Sequence, residues 1–224
     1  LGRVLAPQIK SALTDDNMAI MAKTDGRRAL LNRLLAMAIA AGDSDAIERA
    51  AKQVHDQNMS LSQGALAALN HCDHPARAIA LQAFHDRWQD SPLVMEKWFM
   101  MESMSLVSGT VARLGELMAH PAFDANNPNK LRSVLGAFMT GNPVHFYAED
   151  GSGFDFIGDC LIDIDARNPQ LAARMALPLT RRTQYAPARR AKMGAVLQKL
   201  QQQAQSNDLR EVIDKALADG PSPV

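Results

Sequence analysis

The chain has 224 residues, 47% hydrophobic and 21% charged. That is enough apolar material for a packed core and too little charge for general disorder. Lys+Arg and Asp+Glu are both 24, and aromatic residues make up 5%, which excludes a strong long-range pull on nucleic acid or acidic membranes and a base-stacking platform.

Residues 1–27 read as a helix broken near Pro7, then a polar TDDN, then a segment ending in a turn at Asp25-Gly26. From Arg28 to Ala41, Leu30, Leu31, Leu34, Leu35, Ala38 and Ile39 recur at helical spacing, and Gly42 stops the run. Asp43 and Ser44 cap a second helix, and Ser60 begins a third. His74-Pro75 and Ser91-Pro92 open a fourth and a fifth, with proline where a helix tolerates it best. A sixth spans Ser108 to His120. Beyond Asn127 the pattern predicts helices over 128–140, 154–166, 169–182, 187–204 and 207–218, and a frayed tail over 219–224. Only Val144, His145 and Phe146 suggest a short extended piece. No segment alternates with a period of two, so no sheet is expected.

The expected fold is all-α: an irregular, solenoid-like superhelix of short antiparallel helix pairs. Helix starts fall about 15–20 residues apart, so pairs recur at about 35, within the range of helical repeats. No sequence motif repeats at that interval. Residues 1–224 read as most of one helical domain.

Turn signals crowd one stretch: NNPN at 126–129, GNP at 141–143, DGSG at 150–153 and Arg167-Asn168-Pro169. Asn-Pro ends one helix and fixes φ for the next. Arg132 lies one turn into the first helix opened this way. Gln170 and Arg174 lie four apart on one face of another. Such spacing aims polar groups from helix starts into a shared space. The plain alternative places both arginines on solvated faces or pairs them with Asp163 and Asp165, which would contribute under about 1 kcal/mol.

Other motifs carry less chemistry. His71-Cys72-Asp73-His74 crowds its potential ligands too closely for a zinc geometry and reads as a helix end followed by a cap. His-Glu-x-x-His, Gly-x-Ser-x-Gly and the phosphate-binding Gly-rich loop are all absent. The Met-rich run MEKWFMMESM at 95–104 suits a core seam. Cys72 and Cys160 lack CxxC spacing, which points to a reducing compartment or to simple burial rather than to a disulfide, and the expected location is cytoplasmic. No apolar run is long enough to span a membrane, and no secretory signal is evident. The sequence opens at Leu1 without an initiator Met, so a longer polypeptide is expected.

From Pro92 onward, a series of words stands in a specific order: SPLVMEKWF at 91–99, ELMAHPAF at 116–123, NPNKLRSVLGAF at 127–138, GNPVHFYAEDGSGFDF at 141–156, ARNPQLAARM at 166–175 and YAPARRAKM at 185–193. This resembles the C-terminal helical domain of bacterial aminopeptidase N, the zinc-dependent alanyl aminopeptidase family. The first 90 residues are compatible but carry few signatures. The resemblance implies an upstream thermolysin-like catalytic domain that holds the zinc ligands, a catalytic Glu and a Gly-x-Met-Glu-Asn segment gripping the substrate's amino terminus. It implies a helical domain that closes the active-site chamber against bulk water and large substrates. It also implies that Arg132, Gln170 and Arg174 face bound peptide.

The expected function is therefore part of a metallo-aminopeptidase that releases N-terminal residues. Its partners would be the upstream domain and peptide substrates, with neither nucleic acid nor membrane among them. On this reading the chain holds no catalytic residue, binds no zinc, and is inactive alone. The competing class is a free-standing helical-repeat scaffold that binds a partner on its concave face.

Overall fold

The computed structural model describes residues 2–21 and 23–218. Among them there is no strand, and the fold is all-α. Backbone contacts divide the chain into two compact units, Leu1–Ser108 and Gly109–Val224.

The first unit contains α1 (Gly2–Ala12), α2 (Asp15–Met21), α3 (Asp25–Ala40), α4 (Ser44–Gln53), α5 (Met59–Leu69), α6 (Pro75–Trp88) and α7 (Pro92–Ser103). Local chemistry accounts for most starts. Asp43 accepts from the amides of Asp45 and Ala46, Asn58 from Ser60 and Leu61, and His74 from Ala76. Helices pack on the next and on the next but one: α3 on α4 and α5, α4 on α5 and α6. This is the ladder expected of stacked helical repeats. Leu31, Leu35, Ala50, Leu66, Leu69 and Phe84 fill the core. The Met-rich run does form a seam: Met95, Trp98, Phe99 and Met101 are buried, and the Trp98 indole donates to the Leu81 carbonyl at 3.1 Å.

Two expectations for this unit need correction. Pro7 lies inside α1 and does not break it. The proline forfeits one backbone hydrogen bond, while Ile9 and Leu13, both buried, anchor the end of α1 as it packs on α3. Asp25-Gly26 is the first turn of α3, not a turn between elements. Thr24 supplies the cap, its hydroxyl accepting from Arg27 N–H at 3.4 Å.

The second unit contains α8 (Thr110–Met118), α9 (Pro128–Leu131), a π turn (Arg132–Gly136), α10 (Ala137–Gly141), α11 (Pro143–Phe146), α12 (Ser152–Asp165), α13 (Pro169–Thr180), a 3₁₀ turn (Arg181–Gln184), α14 (Pro187–Gln203) and α15 (Asn207–Ala218). The ladder recurs: α12 packs on α13 and α14, and α13 packs on α14 and α15. Beneath it Phe138, Phe146 and Phe154 are fully buried, with centroids 5.8 and 5.3 Å apart in edge-to-face geometry. Each such pair contributes about 0.5–1.5 kcal/mol beyond its burial.

Residues 143–146 are helical, against the expectation of an extended piece. Pro143 occupies the first helical position, and the side chain of Asn142 accepts from His145 N–H at 3.2 Å, so the cap overrides the β-leaning composition. The tail over 219–224 lies outside the described residues.

Candidate functional site

Two Asn-Pro helix starts meet at one cleft. Asn127 accepts from Asn129 N–H at 2.9 Å, with Pro128 at the first helical position. Asn168 accepts from Leu171 N–H at 3.1 Å, with Pro169 in the same role. Both prolines fix φ before any ligand arrives. A cleft of about 160 Å³ is lined by Pro128, Arg132, Asn168, Gln170, Leu171 and Arg174. The three side chains singled out from sequence are thus together at one site.

The backbone under Arg132 is unusual. The helix that begins at Pro128 widens into a π turn, in which Ala137 N–H donates to the Arg132 carbonyl. Such turns are rare and concentrate at functional sites. Arg132 is exposed between the buried Leu131 and Ser133. Its Nη1 donates to the Asn129 side-chain oxygen at 3.2 Å.

Electrostatically the cleft is simple. Its lining holds two guanidinium groups and no carboxylate. Neither candidate counter-ion is engaged with them. Asp165 is buried and faces the start of α15: its Oδ2 accepts from the amides of Gln205 at 2.7 Å and Ser206 at 3.0 Å, and its Oδ1 accepts from the Ser206 hydroxyl. Asp163 makes no ion pair with Arg132 or Arg174 among the described residues. The side chains of Gln170 and Arg174 are exposed and make no hydrogen bond or ion pair among the described residues. The α13 N-terminus adds positive potential at the Gln170 end. A volume below the 300–1,000 Å³ of a full small-molecule site suits one end of a ligand, not a whole one.

A larger cleft of about 640 Å³ lies in the first unit, between residues such as Asp15, Glu48, Arg49 and Gln53. Within it Arg49 pairs with Asp15, and Asp45 pairs with Lys10 at 2.8 Å, while Glu48, Lys52 and Asp56 also line it, so the lining carries more carboxylates than cations.

Among the described residues, no group of three or more His, Cys, Asp or Glu could hold a metal ion. These residues do not fit a zinc ion, and no zinc chemistry is assigned to them. His74 Nδ1 accepts from Ala76 N–H at 3.1 Å as the α6 cap. Cys72 and Cys160 are free thiols.

Sequence reasoning missed Asn168, which lines the cleft, and Asn129, which lies outside the lining and accepts from Arg132. The i,i+3 spacing of Asn129 and Arg132 was the available signal.

Residues 1–218 match the family described as "Domain of unknown function (DUF3458_C) ARM repeats". The chain is 40% identical over 169 residues to aminopeptidase N of Escherichia coli (strain K12), covering 75% of this chain and 19% of that protein. It is 37% identical over 169 residues to aminopeptidase N of Haemophilus influenzae, covering 74% of this chain and 19% of that protein. A crystal structure of Legionella pneumophila aminopeptidase A in complex with aspartic acid superposes with a TM-score of 0.87 at 25% identity, over 96% of this chain and 27% of that one. The chain thus spans about a fifth of the length of the aminopeptidases N it matches. It belongs to the DUF3458_C ARM-repeat family and is homologous to the C-terminal domain of aminopeptidase N.

Proposed function

We propose that this chain is the C-terminal helical domain of a zinc-dependent aminopeptidase N that works in the cytoplasm on short peptides. Its zinc-bearing catalytic domain lies upstream in the same polypeptide. The domain covers the active-site chamber, and Arg132, Gln170 and Arg174 hold the part of the peptide away from its amino end. The observation that carries this reading is the cleft between two proline-fixed helix starts, with two guanidinium groups and no counter-ion in its lining. Guanidinium forks suit a carboxylate or backbone carbonyls. A neutral glutamine can meet a side chain without demanding charge. The cytoplasmic location is supported by two free thiols. Homology to aminopeptidases favours this reading over a free-standing scaffold.

Arg174→Ala in the full polypeptide tests the reading. Peptide substrates should lose about 5- to 30-fold in kcat/KM, the scale of one charged hydrogen bond in a partly open site. Single-residue chromogenic amides, too short to reach the cleft, should lose little. Equal losses on both would point to a folding defect and refute the assignment.

A further inference from the structure

Asn129 joins the helix cap to the guanidinium. Its backbone N–H donates to the Asn127 side chain at 2.9 Å, and its own side-chain oxygen accepts from Arg132 Nη1 at 3.2 Å. A guanidinium has five N–H donors. This bond uses one of them, and no carboxylate of the described residues pairs with Arg132.

The choice of an amide is informative. Elsewhere the same three-residue spacing holds arginine with an acid: Arg113 pairs with Glu116 at 2.6 Å, and Arg28 pairs with Asp25. An acid at 129 would also suit the positive end of a helix. Helix stability alone would therefore favour aspartate there. An amide holds the same geometry without neutralising the cation, which only an anionic ligand would require. The π turn supports the arrangement: it starts at Arg132 and leaves that side chain exposed between two buried neighbours.

We propose that Asn129 is a positioning residue that fixes Arg132 while leaving its charge unspent, so that the cleft prefers a ligand ending in a free carboxylate. This rests on the reading of the cleft as the far end of a peptide site. The occupant is then the carboxyl terminus of a short peptide.

The test uses the full polypeptide with a tetrapeptide, the same peptide amidated at its carboxyl terminus, and an alanyl anilide. Asn129→Asp should raise KM for the free-carboxylate peptide about fivefold, the scale of an exposed ion pair now competing inside the protein. KM for the amidated peptide, kcat, and anilide turnover should stay unchanged, and the penalty should fade at high salt. Asn129→Ala should cost the free-carboxylate peptide about twofold, and Asn129→Gln should restore most of that loss. A purely structural role predicts the opposite for Asn129→Asp: a slightly more stable protein with unaltered KM. Two results overturn the proposal. If Asn129→Asp affects both peptides alike, or neither while Arg132→Ala selectively harms the free-carboxylate peptide, the assignment of Asn129 fails alone. If Arg132→Ala and Arg174→Ala leave both peptides untouched, the reading of the cleft fails and this proposal falls with it.

Discussion

Asp165 closes α12 and fastens the turn into α15, three helices on. Only 2% of it is exposed, and it accepts three hydrogen bonds, from two backbone amides and one hydroxyl. Bonds to a charged group contribute about 1.5–3 kcal/mol each before desolvation is counted. Gln205 is exposed and Ser206 half-buried, so water can re-satisfy part of what is lost. Asp165→Ala should therefore cost about 3 kcal/mol rather than the full sum. Asp165→Asn keeps the shape. Its carbonyl oxygen can take both amides, and its NH₂ would face Ser206 Oγ, which already accepts from Leu209 N–H at 3.1 Å and must turn its hydrogen away. What disappears is the charge, along with its interaction with the helix start, worth about 1–1.5 kcal/mol. For a chain of this size each kcal/mol moves Tm by roughly 2–4 °C. Thermal melts by circular dichroism should rank wild type above Asn above Ala, with losses of about 2–6 and 6–12 °C. Since α13 packs on α15, the alanine variant should also loosen the helix that carries Gln170 and Arg174, and raise KM for peptides. An asparagine variant as damaged as alanine, or one that melts with the wild type, would refute the assignment of charge to this anchor.

Cys160 is pushed up to about 12 by burial, with the carboxylates of Asp163 and Asp159 adding to the effect. Iodoacetamide at pH 8 should leave it unmodified until the protein unfolds, as peptide mass spectrometry would record. Because its unfolded value is about 9, the neutral thiol's contribution to stability is complete below pH 9 and is lost as pH climbs toward 12. Gly153→Ala should destabilise by about 1–3 kcal/mol. An added Cβ would sit 2.5 Å from the His145 carbonyl oxygen and 2.7 Å from that of Phe146, backbone atoms that cannot step aside. Gly194→Ala, in the interior of α14 where the new Cβ meets no atom within 4 Å beyond its own helix backbone and chain neighbours, should instead stabilise by up to about 1 kcal/mol. Urea denaturation would separate the two by sign.

Helix positions were legible where a side chain caps its own helix. His74-Pro75, Asn127-Pro128 and Asn168-Pro169 each announce a start that the structure reproduces. Gln170 and Arg174 could be placed together because an α-helix of known start has a known face. The failures have tertiary causes. Pro7 stays within α1 because Ile9 and Leu13 find burial on the far side of it. The π turn left no local mark: RSVLG contains nothing that distinguishes it from ordinary helix, although Ser133, Val134 and Leu135 within it are buried. The vacancy of both arginines was equally hidden. Asp165 was a plausible partner until Gln205 and Ser206, forty residues later in the turn before α15, supplied the donors that claim it.

The neighbour-upon-neighbour ladder has a kinetic corollary. Most of the packing inside each unit joins helices one or two apart in sequence, so the loops to be closed are short and the entropy of closing them is modest. Folding should fall in the microsecond-to-millisecond range of locally connected helical proteins. During synthesis, each newly emerged helix meets a seat built from residues translated just before it, and the nascent polymer need not wait for a remote segment to leave the ribosome.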